Sequence, residues 1–328
     1  MILLLILFFI IGLAMLYYGA EWLVKGSSGL AGSLGIRPMI IGLTVVAFGT
    51  SAPELVISIV SSFQGKSMLA LGNVIGSNIS NIALILGLAA IFNPVPCHRS
   101  VIRRDIPIML GVSFYLLLLS LDSTIGRIEG ATLTAGILLY IYFNYSISLK
   151  ESVQKFEREE KAQEKESKAT NGSVPPRARQ VAMVVAGIAC VVIGAEAVVK
   201  AAVEAMTLLG VSEKFIGLTM VAVGTSLPEL ATSVTAAVKK EMDISVGNLV
   251  GSNVFNILGV LGTAALVRPI PIPEGLVQSG LLVDIGVMIL TGVLPWIMLV
   301  RSCTLTRKDG LLLLLCYGGY VLYLVVNG

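Results

Sequence analysis

The sequence predicts an all-α integral membrane protein in which ten transmembrane helices form two inverted five-helix repeats. Three observations carry this prediction. The composition is apolar with its charge swept into one segment, ten apolar stretches have bilayer-spanning length, and an ungapped internal repeat recurs at an offset of 175 residues.

Of 328 residues, 55% are hydrophobic and only 13% charged, against about a quarter charged in soluble domains. A chain this apolar cannot present a polar surface to water, so a lipid bilayer is its expected solvent. The net charge is +3, yet of the 43 charged side chains 14 crowd into residues 150–179. Composition also narrows the chemistry. Cys97, Cys190, Cys303 and Cys316 stand singly and His98 is the one histidine, whereas zinc, copper and iron–sulfur sites need thiolates or imidazoles at close spacing. Any metal ion is therefore expected to be a hard cation on oxygen ligands. No resident cofactor and no nucleic-acid partner are expected.

The apolar segments fall at 2–24, 36–62, 67–92, 105–121, 129–149, 181–203, 213–238, 244–267, 277–300 and 310–326. Each is close to the ~20 residues that cross a ~30 Å hydrocarbon core. The first lacks a basic leader and a small-x-small cleavage site, so it reads as a retained helix rather than a signal peptide. Alternate loops divide the 23 Lys and Arg residues into sets of 18 and 5. Basic loops stay cytoplasmic, which predicts a cell-membrane protein with both termini outside.

Adding 175 to each position from 19 to 96 gives 194 to 271, with 33 of 78 residues identical. Five helices is an odd number, so the second copy must be inserted upside down. Inverted repeats of this kind build secondary transporters, with the substrate site at the repeat interface near the midplane. The chain divides into 1–149, a charged cytoplasmic linker at 150–180 with a helical start, and 181–328.

Two acids, Glu54 and its repeat mate Glu229, fall inside apolar segments. A carboxylate at the bilayer centre costs on the order of 3 kcal/mol or more, and such acids mark ion pathways. They sit in G-T-S-A-P-E-L and G-T-S-L-P-E-L. Pro53 and Pro228 cannot donate to the carbonyls four residues earlier, so the helices should break there and free main-chain oxygens near 47–50 and 222–225. Unwound backbone at membrane depth is tolerated where it lines a cavity or is buried in protein. Thr50 lies four residues before Glu54, and Thr225 before Glu229, so hydroxyl and carboxylate share a face. The next segment of each repeat brings G-N-V-I-G-S-N and G-N-L-V-G-S-N. Ser77 with Asn81, and Ser252 with Asn256, again share faces and offer oxygens that can replace a hydration shell. Asn73, Asn78, Asn248 and Asn253 read instead as interhelical hydrogen-bonding groups. Glu21 and Glu196 are expected to pair with Lys25 and Lys200 at i,i+4. Asp105 and Asp284 are expected to open their helices, and His98 to be inert.

With these motifs the chain resembles the sodium/calcium exchanger branch of the cation/calcium exchanger superfamily, whose two α-repeats carry G-T-S-x-P-E/D and a downstream G-S-N. The resemblance implies a monomeric antiporter of calcium and sodium, not an enzyme. It places calcium on Glu54 and Glu229 with the carbonyls of Thr50 and Thr225. Sodium would lie on Ala47, Ser51 and Ser77, and on Ala222, Ser226 and Ser252. Asn256 stands where some members have an aspartate, leaving two carboxylates at the centre. A calcium/proton antiporter on the same fold would tend to carry G-N-A-x-E, which is not present, and a cation channel would not need paired inverted repeats.

Overall fold

The computed structural model describes residues 2–163, 176–209 and 222–327. Six of its helices are long and apolar enough to span a membrane, or seven when one bent pair is joined. In chain order the helices are α1 (Ile2–Leu34), α2 (Pro38–Thr50), α3 (Ala52–Phe63), α4 (Ser67–Phe92), α5 (99–119), α6 (Arg127–Gln163), α7 (Arg177–Leu208), α8 (Ala222–Thr225), α9 (Leu227–Val238), α10 (Met242–Val267), α11 (Gly275–Gln278), α12 (Leu281–Ser302) and α13 (Arg307–Asn327). All ten segments expected from the sequence contain helix, with α2–α3 and α8–α9 each standing for one interrupted span. The first part of the seventh segment, 213–221, and linker residues 164–175 lie outside the described residues. The protein is a ten-helix membrane fold.

Burial sorts the spans into layers. The apolar windows of α4 and α10 are 78% and 83% buried, while that of α13 is 11% buried. So α4 and α10 form the centre, and outward side chains such as Phe8, Val56, Leu118, Leu138 and Leu315 are the surface a bilayer covers. Leu71, Ile75, Ile79, Leu249 and Ile257 are fully buried between them and their neighbours.

Helices α1 and α7 run antiparallel in close contact. A Cβ built on Gly12 would lie 2.9 Å from the Gly194 carbonyl, and one on Gly187 would lie 2.6 Å from the Leu23 nitrogen. Small residues at such seams let membrane helices approach backbone to backbone. Four two-residue strands, β1 (Val95–Pro96), β2 (Thr124–Ile125), β3 (Ile270–Pro271) and β4 (Thr304–Leu305), make two antiparallel ribbons. β1 pairs with β4 and β2 with β3, so each ribbon ties a loop of one repeat to a loop of the other.

Two expectations are corrected. Glu21 pairs with Lys239, at 2.6 Å, rather than with Lys25; Glu196 does pair with Lys200. Asp105 lies inside α5 rather than at its start, fully buried and held by Arg104 Nε at 2.8 Å and Nη2 at 3.0 Å. A carboxylate that deep needs a charged partner, which the adjacent arginine supplies. His98 lies 3.5 Å from Asp243 across the repeat boundary. Asp284 does sit in the first turn of α12, accepting a hydrogen bond from Tyr320 at 2.9 Å.

Candidate cation-binding site

Each interrupted span breaks where the sequence places proline. Ser51 has φ −81° and ψ 7°, and Ser226 has φ −87° and ψ 4°, both outside helical geometry. Pro53 and Pro228 then stand in the first turn of the following helix, where a missing N–H is harmless. The axes of α2 and α3 differ by 45°. The break starts a fresh helix N-terminus at membrane depth, with Glu54 and Glu229 in its first turn. At each break the exposed N–H ends favour negative charge.

Both carboxylates are fully buried. Among the described residues no basic side chain pairs with either. Instead hydroxyls surround them with pseudo-twofold regularity. Ser77 Oγ donates to Glu54 Oε1 at 3.3 Å and Ser252 Oγ to Glu229 Oε1 at 3.4 Å. Across the repeats, Thr50 Oγ1 lies 3.5 Å from Ser252 Oγ, and Ser77 Oγ lies 3.3 Å from Thr225 Oγ1. The symmetry is incomplete. Ser51 Oγ donates to Glu229 Oε1 at 3.1 Å, while its mate Ser226 has a buried Oγ without a partner among the described residues.

The second oxygens of the two glutamates, Oε2 in each, are buried without hydrogen-bond partners among the described residues. The amide oxygens of Asn81 and Asn256 share that condition. Buried acceptors are nearly always satisfied, and a symmetric set of empty ones among hydroxyls is what a dehydrated hard cation coordinates. The Ala47 carbonyl accepts from the Ser51 N–H at 3.0 Å and from Thr50 Oγ1 at 3.4 Å. Ala222 lies at the edge of the described residues.

Several structural partners of the site were not resolved by spacing alone. Thr50 Oγ1 donates to Asn248 Oδ1 at 3.1 Å, and Asn248 Nδ2 in turn donates to Ser233 Oγ at 3.1 Å. Asn73 Nδ2 donates to Ser58 Oγ and to the Glu54 carbonyl. These asparagines fix the broken helices against α4 and α10, the interhelical role expected of them. Ser58 and Ser233 carry their own signal in hindsight, since each lies four residues after its glutamate. A π-helical turn follows the site on both central helices, at Ser80–Leu86 on α4 and Asn256–Leu261 on α10. Such turns concentrate at functional sites.

Buried acids with no basic partner among the described residues, at facing helix breaks of inverted repeats, define an ion-carrying membrane transporter. Residues 4–146 and 179–326 match the family described as sodium/calcium exchanger protein, and the chain belongs to that family. It is 37% identical to the inner membrane protein YrbG of Escherichia coli, over 97% of this chain and 94% of that one. It is 31% identical to the sodium/calcium exchanger MaX1 of Methanosarcina acetivorans, over 97% of each. A solved structure of the sodium-calcium exchanger NCX_Mj, soaked with zero Na+ and Ca2+, superposes with a TM-score of 0.83 at 29% identity. It covers 99% of this chain and all of that one. The protein is a cation/calcium exchanger with a multi-pass membrane fold.

Proposed function

We propose that the protein exchanges sodium for calcium across the cell membrane by alternating access, as a monomer, moving three sodium ions against one calcium ion. The observation that carries this reading is the buried pair Glu54 and Glu229, uncompensated by any described base and flanked by hydroxyls of both repeats. Two carboxylates neutralise one calcium, with the carbonyls of Thr50 and Thr225 completing its shell. The same oxygens, with Ser51, Ser226, Ser77, Ser252 and the carbonyls of Ala47 and Ala222, suit sodium, which is equally hard. Asn81 and Asn256 add neutral amide oxygens. The names carried by MaX1 and NCX_Mj support sodium as the coupling ion.

Energetics favours three sodium ions over two. Through a tenfold gradient two sodium ions release about 2.7 kcal/mol, enough to hold only a ~100-fold calcium gradient. Three release about 4 kcal/mol, and the one net inward charge adds about 2.3 kcal/mol at 100 mV. That combination sustains a calcium gradient above 10⁴. The test is calcium uptake into liposomes loaded in turn with sodium, potassium or acid, with the membrane potential clamped by a potassium diffusion potential. Uptake should require internal sodium and respond to the potential. Uptake that ignores both and follows pH assigns the protein to calcium/proton exchange instead.

The basic-loop asymmetry supports cytoplasmic placement of 150–180 with both termini outside. Asp122 and Lys308 are exposed loop or helix-end residues on opposite sides in this reading. In a background without the four native cysteines, Asp122→Cys should react with an impermeant thiol reagent from outside cells, and Lys308→Cys only after permeabilisation. Labelling of both from the same side refutes the five-plus-five inverted arrangement.

A further inference from the structure

We infer that Asn78 and Asn253 are positioning residues that lock the amides of Asn81 and Asn256 with their oxygens turned toward the ion site. This rests on the reading of Asn81 and Asn256 as cation ligands. The four asparagines form one cross-repeat clasp between α4 and α10. Asn78 Nδ2 donates to the Asn253 carbonyl at 3.2 Å, and Asn253 Nδ2 donates to the Asn78 carbonyl at 3.2 Å. Asn256 Nδ2 donates to Asn78 Oδ1 at 3.1 Å, and Asn81 Nδ2 donates to Asn253 Oδ1 at 3.0 Å. All four side chains are at most 3% exposed.

The logic of the clasp is directional. An amide has donors at one end and an acceptor at the other, so only one of its two orientations offers oxygen to a cation. A backbone carbonyl can only accept. The Asn253 carbonyl therefore fixes which end of Asn78 carries nitrogen, and that leaves Asn78 Oδ1 aimed at Asn256. Asn256 must answer with its nitrogen, which turns its oxygen away from the clasp. The mirror sequence runs from the Asn78 carbonyl through Asn253 to Asn81. Flipping Asn81 or Asn256 would set acceptor against acceptor, and flipping Asn78 or Asn253 would set acceptor against acceptor at one end and donor against donor at the other.

The consequence is visible in which atoms are left over. All four amide nitrogens are used, as are the oxygens of Asn78 and Asn253, while those of Asn81 and Asn256 are buried and empty. Were the outer pair mere helix glue, their oxygens would be the groups most in need of partners. Each instead lies one turn beyond the serine that touches a glutamate, Ser77 for Glu54 and Ser252 for Glu229. The clasp thus holds two neutral oxygens beside two carboxylates, and the nitrogen ends cannot swing in to repel the cation.

The test uses the full-length protein in liposomes and a double-mutant cycle. Asn78→Leu keeps the branched shape, with somewhat larger ends, but frees the Asn256 amide to flip. It should raise the calcium concentration for half-maximal sodium-driven uptake about tenfold, with the maximal rate within about twofold. In an Asn256→Asp background both ends of the side chain are oxygens, so orientation no longer matters and Asn78→Leu should shift half-saturation less than twofold. Calcium-dependent thermal stabilisation of the detergent-purified variants should follow the same pattern. If Asn78→Leu does not fold, Asn253→Leu with and without Asn81→Asp performs the mirror cycle. Equal shifts in both backgrounds, or none in either, overturn the clasp. An unchanged half-saturation in Asn256→Ala overturns the ligand reading, and the inference with it.

Discussion

Replacing Glu54 or Glu229 with glutamine is expected to lower sodium-driven calcium uptake at least 100-fold while leaving the protein folded. Glutamine is nearly isosteric and keeps an oxygen for Ser77 or Ser252 to donate to, so the local hydrogen bonds at 3.3 and 3.4 Å can survive. What disappears is one of the two charges available to a divalent ion that has shed its water. A 100-fold loss corresponds to about 2.7 kcal/mol, modest for a carboxylate contact in a site removed from solvent. The two readouts should move in opposite directions. Without ions, each buried acid that lacks a fixed partner burdens the fold, so the variants should melt at or above the wild-type temperature. With calcium, wild type gains about 2.7 kcal/mol of stability at 100 times Kd, and the variants should gain almost none at that concentration. Near-normal uptake by either purified variant removes the glutamates from the transport site.

The two glutamates were legible in the sequence because the repeat states the argument twice. One buried acid beside a proline is ambiguous, but two at the same place in copies of opposite orientation must meet near the middle of the fold. The break positions followed from covalent chemistry, since proline has no N–H wherever it is placed. The hydroxyls of Thr50, Ser77, Thr225 and Ser252 followed from helical spacing. What spacing could not supply was partnership across repeats. Glu21 and Lys25 satisfy the i,i+4 rule, yet a base 218 residues away, Lys239, lies closer. A local rule cannot see the loop that the second repeat folds beside α1. The asparagine clasp is the same kind of case, since the spacing of Asn78 and Asn81 does not reveal that Asn253 and Asn256 complete it. The π turns at Ser80–Leu86 and Asn256–Leu261 also left no mark on hydrophobic periodicity, because both helices are buried nearly all round. A helix without an exposed face has no stripe whose shift would betray an extra residue.

Gly251→Val is expected to abolish calcium transport, by parting the two helices that bring the repeats together. A Cβ at Gly251 would lie 2.6 Å from the Leu43 carbonyl oxygen, 2.8 Å from Leu43 Cα and 2.9 Å from Ala47 Cβ. One at Gly247, a turn earlier, would lie 2.7 Å from the Met39 carbonyl. From the other side, one at Gly42 would come within 3.0 Å of the Ile244 carbonyl. The seam between α2 and α10 is therefore backbone against backbone, and the obstructing atoms cannot rotate away as a side-chain tip could. Overpacking of this kind costs about 1–3 kcal/mol, and its geometric effect falls on the site. Gly251 precedes Ser252, and Leu43 is two turns before Thr50 on the opposing helix. Pushing α2 outward lengthens the 3.1 Å bond from Thr50 to Asn248 and parts Thr50 from Ser252. Gly251→Ala brings only the Cβ and should cost transport about tenfold while the protein remains monodisperse. Gly286→Val is the control, because a Cβ there meets nothing within 4 Å and faces the lipid side of α12. It should transport as wild type does. Measured as sodium-driven uptake per folded molecule after size-exclusion chromatography, wild-type activity in Gly251→Val would mean that the approach of α2 to α10 does not shape the ion site.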